Sequence, residues 1–314
     1  RSTLFPYTTL FRSNAMLSYY KTIDGHITQL EACEPGCWIN CIAPTDAEIS
    51  GLIEDFQIEP DFFRAAMDEE ESSHIDTEDY STLVIIDMPV IETTGSHVTY
   101  TTTPLGIIIT EKNVITVCTR ENPVIDEFTD GVVKGVQTNL KTRFILHLML
   151  RIATKYLQYL KQIDKLSSHV ERELRKSMKN SELIQLLDIE KSLVYFSSSL
   201  KGSEITIEKI SRGRVIKLYE DDQDLLEDVL IEVRQAIEMS SIYLNILSGT
   251  MDAFASVISN NLNIVMKVLA SITLLISIPT VISSFYGMNV SGLPLPYFWF
   301  PLLLAIVSMG AAYL

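Results

Sequence analysis

From Val268 to Leu314 the chain has no Asp, Glu, Lys, Arg or His, and from Pro123 to Pro279 it has no internal proline. The first gap excludes a water-facing surface of ordinary composition for that stretch and points to lipid. The second removes the commonest helix breaker, so with helix-forming composition it predicts helices throughout. Basic patches are also scarce. With 25 Lys and Arg against 40 Asp and Glu, the net charge is -15, which excludes nucleic acid as a partner. No Gly-rich phosphate loop is present and the five histidines are scattered. No nucleophile–base pair can be assembled, so an enzyme is not expected. From Met16 onward there is no secretory apolar segment, and the large N-terminal part is expected in the cytosol. Residues 1–15, ending Ser13-Asn14-Ala15, read as an expression tag with a protease scar.

Cysteine is rare. Cys33, Cys37 and Cys41 are spaced by four, and Cys118 stands apart. Structural zinc wants four ligands and usually shorter spacing, so reduced thiols in a cytosolic domain are the reading.

Residues 16–122 read as a mixed α/β domain. Asp24-Gly25 predicts a hairpin between strands 17–22 and 26–30. Trp38 to Ile42 is a short strand. Thr45-Asp46-Ala47-Glu48 is a capping box opening a helix to about Phe56, and Pro60 starts another. The β-branched segments 83–91, 98–102, 105–110 and 113–119 predict strands. Residues 123–220 then read as an antiparallel helical region, with helices from Phe144 to about Met178 and from Glu182 to about Leu218. Gly213 is a weak point in the second. A stalk at 221–267 is expected to run without a break into a first membrane span at 268–285. Its apolar positions include Leu226, Val229, Val233, Ile237, Leu244 and Leu247, which need neighbours along the helix.

The first uncharged run, 268–285, is about 27 Å long at roughly 1.5 Å per residue, close to a bilayer core of about 30 Å. A loop at 286–296 joins it to a second expected span, 297–314. Lys267 alone borders the spans with positive charge, so charge asymmetry says little about orientation.

Tyr286-Gly287-Met288-Asn289, set between two such runs after a long proline-free region, resembles the signature of the CorA family of divalent-cation transporters. Asn263-Ile264-Val265-Met266-Lys267-Val268-Leu269 and Asp188-Ile189-Glu190-Lys191-Ser192-Leu193-Val194 resemble family sequence too. The likeness extends over residues 16–314 and is strongest after Asp188. It implies a funnel-shaped homopentamer with an α/β cytosolic domain, a long-helix stalk and two transmembrane helices. The implied function is channel-like transport of Mg²⁺, with Co²⁺ and Ni²⁺ possible, across the inner membrane of the cell.

On that resemblance the loop is a selectivity filter. Mg²⁺ binds oxygen and gives up water reluctantly. A ring of Asn289 amides, with Gly287 carbonyls nearby, would hold the hydrated ion, and Tyr286 would pack at the interface level. If the first span lines the pore, one face carries Asn263, Met266, Thr273, Ser277 and Thr280, with Leu269 beside it. Met266 and Leu269 would form a dewetting constriction. The hydroxyls line the pore or serve helix packing in lipid, and both readings stand. The family also implies a cytosolic metal sensor, matched by Asp228 and Asp252 on the stalk and by Glu92 on the α/β domain; the alternative is solvated carboxylates. Two departures stand out. Loop residues Val290 to Pro294 lack the acids family members often bear there, and the chain stops inside the apolar run, without the usual basic tail. A zinc transporter of the same superfamily and a membrane-tethered coiled-coil scaffold without transport are the alternatives.

Overall fold

The computed structural model describes residues 16–78, 80–94, 97–177, 179–213, 215–288, 297 and 299–313. Residues 1–15, Asn289, the rest of the loop to Pro296, and Leu314 lie outside the described residues. The chain divides into two compact units, one ending at Ser248 and one spanning Gly249–Leu314.

In the first unit, seven strands form one mixed sheet in the order β2-β1-β3-β7-β6-β5-β4. They are β1 (Met16–Ile23), β2 (His26–Leu30), β3 (Trp38–Ile42), β4 (His74–Glu78), β5 (Ser81–Thr94), β6 (His97–Ile109) and β7 (Val114–Cys118). Only β3 and β7 pair in parallel. The β1–β2 hairpin turns as expected. Asp24 and Gly25 both take positive φ, 51° and 81°, the pattern a two-residue primed turn needs. The expected capping box is present: Thr45 Oγ1 accepts from the Glu48 amide, and Glu48 accepts from the Thr45 amide, at the start of α1 (Asp46–Phe56).

The two strands expected at 98–102 and 105–110 are one strand, β6, and it runs through Pro104. Pro104 faces Asp87, and Pro89 faces Thr102. Both prolines sit where their strand has lost its second neighbour: β7 pairs only with Gly106–Ile109, and β4 only with Ser81–Ile85. A missing N–H is tolerated on such an open edge. The far end of the β5–β6 pair is therefore a two-stranded ribbon. Strand β4 was not anticipated, and its mostly polar sequence explains why.

Strand periodicity divides the core. Ile39, Cys41, Leu83, Ile85, Ile108, Ile115 and Val117 pack with Leu52 of α1 and with Phe62, Phe63 and Ala66 of α2 (Pro60–Ala66). On the opposite side of β3, Trp38 meets Phe128 of α3 (Pro123–Thr129) and Phe144 of α4 (Lys141–Ser177), with ring centroids 6.3 and 5.3 Å away. Its indole N–H donates to Thr116 Oγ1 at 2.7 Å, which donates in turn to Asn40 Oδ1.

Helices do not fill the whole proline-free region. Residues 130–140 are non-helical, with positive φ at Gly131 and Gly135. The helix expected to reach Leu218 stops earlier: α5 is Asn180–Ser211, followed by Gly213 at φ 66°. Left-handed backbone ends a helix and Gly permits it without strain. A 3₁₀ turn at Glu220–Asp222 then leads into α6, Gln223–Tyr286, 64 residues without interruption. Its first part lies antiparallel along α5. Arg234 bonds Glu204 and Glu208, Ser240 Oγ donates to the Leu193 carbonyl, and Ser248 Oγ donates to Glu190. Leu226, Val229, Val233, Ala236 and Leu247 are buried on that side.

In the second unit α6 continues through Pro279 to Tyr286, and α7 is Phe300–Tyr313. Among the described residues one helix, Glu220–Tyr286, is long and apolar enough to cross a membrane. Helix α7 starts at Phe300, three residues after the start expected for the second span. Pro301 stands in the first turn of α7, where its missing N–H costs nothing.

Candidate functional site

Helix α6 ends at the expected motif. The amide of Gly287 donates to the Ser283 carbonyl at 2.9 Å, and the Met288 amide to the Phe285 carbonyl at 3.4 Å. Gly287 is not among the positive-φ glycines, and a Cβ there would lie 3.2 Å from the Ser283 oxygen that its own amide bonds. No basic residue stands in the last turn of α6. The helix end therefore keeps the partial negative charge of its carbonyls, about half an elementary charge.

The ring of Tyr286 packs against Phe285 and against Phe300 of α7, both with centroids 6.1 Å away. Trp299 joins Phe300, and Tyr297 stacks on Trp299 at 20°. Aromatic rings with polar edges favour the headgroup level. The motif thus starts at an aromatic cluster that ties the end of α6 to the start of α7. Phe300 was not anticipated; neither its position in the apolar run nor its type set it apart. Met288 is exposed, and Asn289, the centre of the expected filter, is outside the described residues.

Asn263, Met266, Leu269, Thr273, Ser277 and Thr280 all lie on α6 and are exposed in the single chain. At about 100° per residue they fall within roughly one third of the helix circumference. The Thr273 hydroxyl donates to the Leu269 carbonyl at 2.8 Å, and the Thr280 hydroxyl to the Ile276 carbonyl at 2.7 Å. Each proton is thereby satisfied inside the helix, and the oxygen lone pairs are left to accept. Ile264, Val265, Met266, Val268 and Leu269 are each at least half exposed, an apolar surface that lipid or further subunits must cover.

The three expected sensor carboxylates are dispersed. Asp228 is exposed on α6 in the first unit. Asp252 is exposed in the second, and its carbonyl accepts from Ser256 Oγ. Glu92, on β5 opposite Thr99, is bound by Arg120, whose Nη1 donates to Oε1 at 2.8 Å. That hydrogen bond holds the Glu92 carboxyl below its ordinary pKa. Among the described residues no group of three or more His, Cys, Asp or Glu is arranged to hold a metal. Cys41 and Cys118 are buried, whereas Cys33 and Cys37 approach each other at 3.6 Å.

Residues 34–314 match the family model described as CorA-like Mg²⁺ transporter protein. A curated relative, the cobalt/magnesium transport protein CorA of Methanocaldococcus jannaschii, is 26% identical over 283 residues, 86% of each chain. The complete structure of the M. jannaschii CorA magnesium transporter superposes with a TM-score of 0.82 over 96% of both chains at 22% identity. The cytoplasmic domain of ZntB from Vibrio parahaemolyticus shares the fold more distantly. Its TM-score is 0.60 at 14% identity, covering 79% of this chain and 98% of that one.

Proposed function

Because the chain belongs to the CorA-like Mg²⁺ transporter family, we propose that it is a channel-like carrier of divalent cations, Mg²⁺ foremost and Co²⁺ and Ni²⁺ with it. It would assemble as a homopentamer in the inner membrane with the first unit on the cytoplasmic side. The observation that carries this reading is the exit of α6. A helix uncharged from Val268 onward ends at Tyr286, directly before Gly287-Met288-Asn289, with no basic residue in its last turn.

Five such ends around one axis would present Asn289 amide oxygens and Gly287 carbonyls to an ion that keeps its water. Coordinated water donates hydrogen bonds, so acceptors are what the site needs. The helix-end dipoles attract the cation where the loop residues Val290 to Pro294 supply no carboxylate. Below, the lone pairs of Thr273 and Thr280 would accept from the ion's waters. Met266 and Leu269 would form an apolar ring that closes by dewetting, and Asn263 a polar ring beneath it. The driving force is electrical: about 2.3 kcal/mol per elementary charge per 100 mV, and about twice that for a divalent ion. Cytosolic metal held by Asp228, Asp252 and Glu92 only in the closed state would stabilise that state and provide feedback.

The test is flux into proteoliposomes of Mg²⁺, Co²⁺ and Zn²⁺, with and without a proton gradient, for the native chain and for Asn289→Ala. Mg²⁺ flux that disappears in the variant while the oligomer persists is the expected result. Undiminished Mg²⁺ influx removes Asn289 from the filter. Zn²⁺ flux coupled to protons replaces the ion assignment, and no flux of any cation leaves a scaffold.

A further inference from the structure

We propose that Cys33 and Cys37 form a reversible thiol–disulfide site, open to a low-molecular-weight disulfide. The segment between β2 and β3 turns at Glu34-Pro35-Gly36-Cys37, where the Cys37 amide donates to the Glu34 carbonyl at 3.1 Å and Gly36 has φ 79°. Pro followed by Gly at the two central positions matches a type II turn. The turn is held from below, since the Gly36 amide donates to the Lys112 carbonyl. It folds the two sulfurs back to 3.6 Å. A covalent bond of about 2.05 Å requires them to close by only about 1.5 Å.

The surroundings serve both oxidation states. Asn113 is buried, and its Nδ2, with two hydrogens to share, lies 3.1 Å from Cys37 Sγ, 3.9 Å from Cys33 Sγ and within hydrogen-bond distance of the Glu34 and Cys37 carbonyls. An amide N–H supports a thiolate or a disulfide sulfur as acceptor. The two thiols divide the work by access. Cys33 is exposed and Cys37 is buried, so an incoming disulfide meets Cys33 first and Cys37 resolves.

The exchange balances without a further reactant. Cys33 thiolate attacks one sulfur of the small disulfide, whose S–S bond breaks and releases one thiolate. Cys37, having lost its proton to solvent, attacks the Cys33 sulfur and expels the second. The chain loses two electrons and two protons, and two small thiols carry them away. Although the Cys33 residue is exposed, partial desolvation of its sulfur and the neighbouring Cys37 thiol push its pKa up to about 12. Its thiolate is scarce at neutral pH, though strongly nucleophilic once formed. The exchange is therefore slow at pH 7 and accelerates as pH rises.

The experiment uses the full chain in detergent, incubated with oxidised glutathione at pH 7, 8 and 9, quenched in acid, and read by intact mass and peptide mapping. The expected product is a loss of about 2 Da, mapped to a Cys33–Cys37 link, reversed by reduced glutathione and faster at each higher pH. Cys33→Ser abolishes it, and Cys118→Ser leaves it intact. Three results would overturn the proposal: a lasting glutathione adduct on Cys33 with Cys37 still free, a Cys41–Cys118 link instead, or four alkylatable thiols after exhaustive incubation.

Discussion

Arg120 Nη1 and Glu92 Oε1 are 2.8 Å apart, so one of the three carboxylates proposed to hold cytosolic metal already has a cation bound to it. A metal at Glu92 would compete with that guanidinium for the carboxylate's charge. The pair is half-exposed, and such pairs are worth about 0.2–1 kcal/mol. Arg120→Gln should therefore make cytosolic Mg²⁺ inhibit flux at about two- to fivefold lower concentration. Flux titrated with metal on the cytosolic side reads this, and an unchanged midpoint removes Glu92 from the sensor. The same pair sets a pH limit. The Glu92 carboxyl is depressed on folding, so its contribution is present above the ordinary carboxylate range. It is lost as pH falls through the lower folded value.

Leu269 bears on the closed pore. Replacing it by Ser puts a hydroxyl where dewetting is proposed to hold the channel shut. Leu269→Ser should raise basal Mg²⁺ flux several-fold at inhibitory cytosolic metal, measured with a fluorescent indicator in proteoliposomes. A tight pore in that variant would move the constriction elsewhere on α6.

Gly106 on β6 lies under α2. A Cβ there would collide with the Ala66 Cβ and lie 3.3 Å from its Cα. Gly106→Ala should cost about 1–3 kcal/mol through overpacking. Thermal unfolding of the full chain reads the loss, and Ala66→Gly in the same chain should recover part of it. Failure of that rescue would mean the strain is not at this contact.

Asp87 is buried on β5, and burial raises its carboxyl above the ordinary value. Between the ordinary and the raised value, the folded chain holds a proton that the unfolded chain has lost. Stability falls as pH rises from about 3.9 to the raised folded value, and is level above it. The Asp87 side chain is hydrogen-bonded to Ser199, and Asp87→Asn, which keeps a polar partner there, should raise the melting temperature by a few degrees at neutral pH. The difference should vanish near pH 4. A variant less stable at neutral pH would show the carboxylate to be favourably held.

Local elements were legible where local chemistry decides them. Thr45 and Glu48 cap α1 through bonds three residues apart, and Asp24-Gly25 turns a hairpin through its own backbone preferences. The course of β6 through Pro104 was not legible, since the tolerance of that proline depends on where β7 ends. The stop of α5 at Ser211 was half visible: Gly213 marked the place, but only packing decided that the helix ends there. The candidate site divides in the same way. The end of α6 at the motif could be read from the uncharged run and its length. The pairing of Tyr286 with Phe300 depends on how α7 returns to it.

The sequence alone determined a long apolar helix ending at Tyr286 and the family signature that follows. Transfer into lipid depends on residues summed along a contiguous run, with little regard to what lies across the fold. Tertiary structure decided the encounters that sequence separation hides. Asn113 meets Cys37 across 76 positions, and Arg120 meets Glu92 across 28. Both depend on strand register. Asn113 and Cys37 directly precede β7 and β3, which pair in parallel, and Arg120 follows the end of β7, which reaches β5 only through β6; a slip of one residue in either pairing would change which side chains meet.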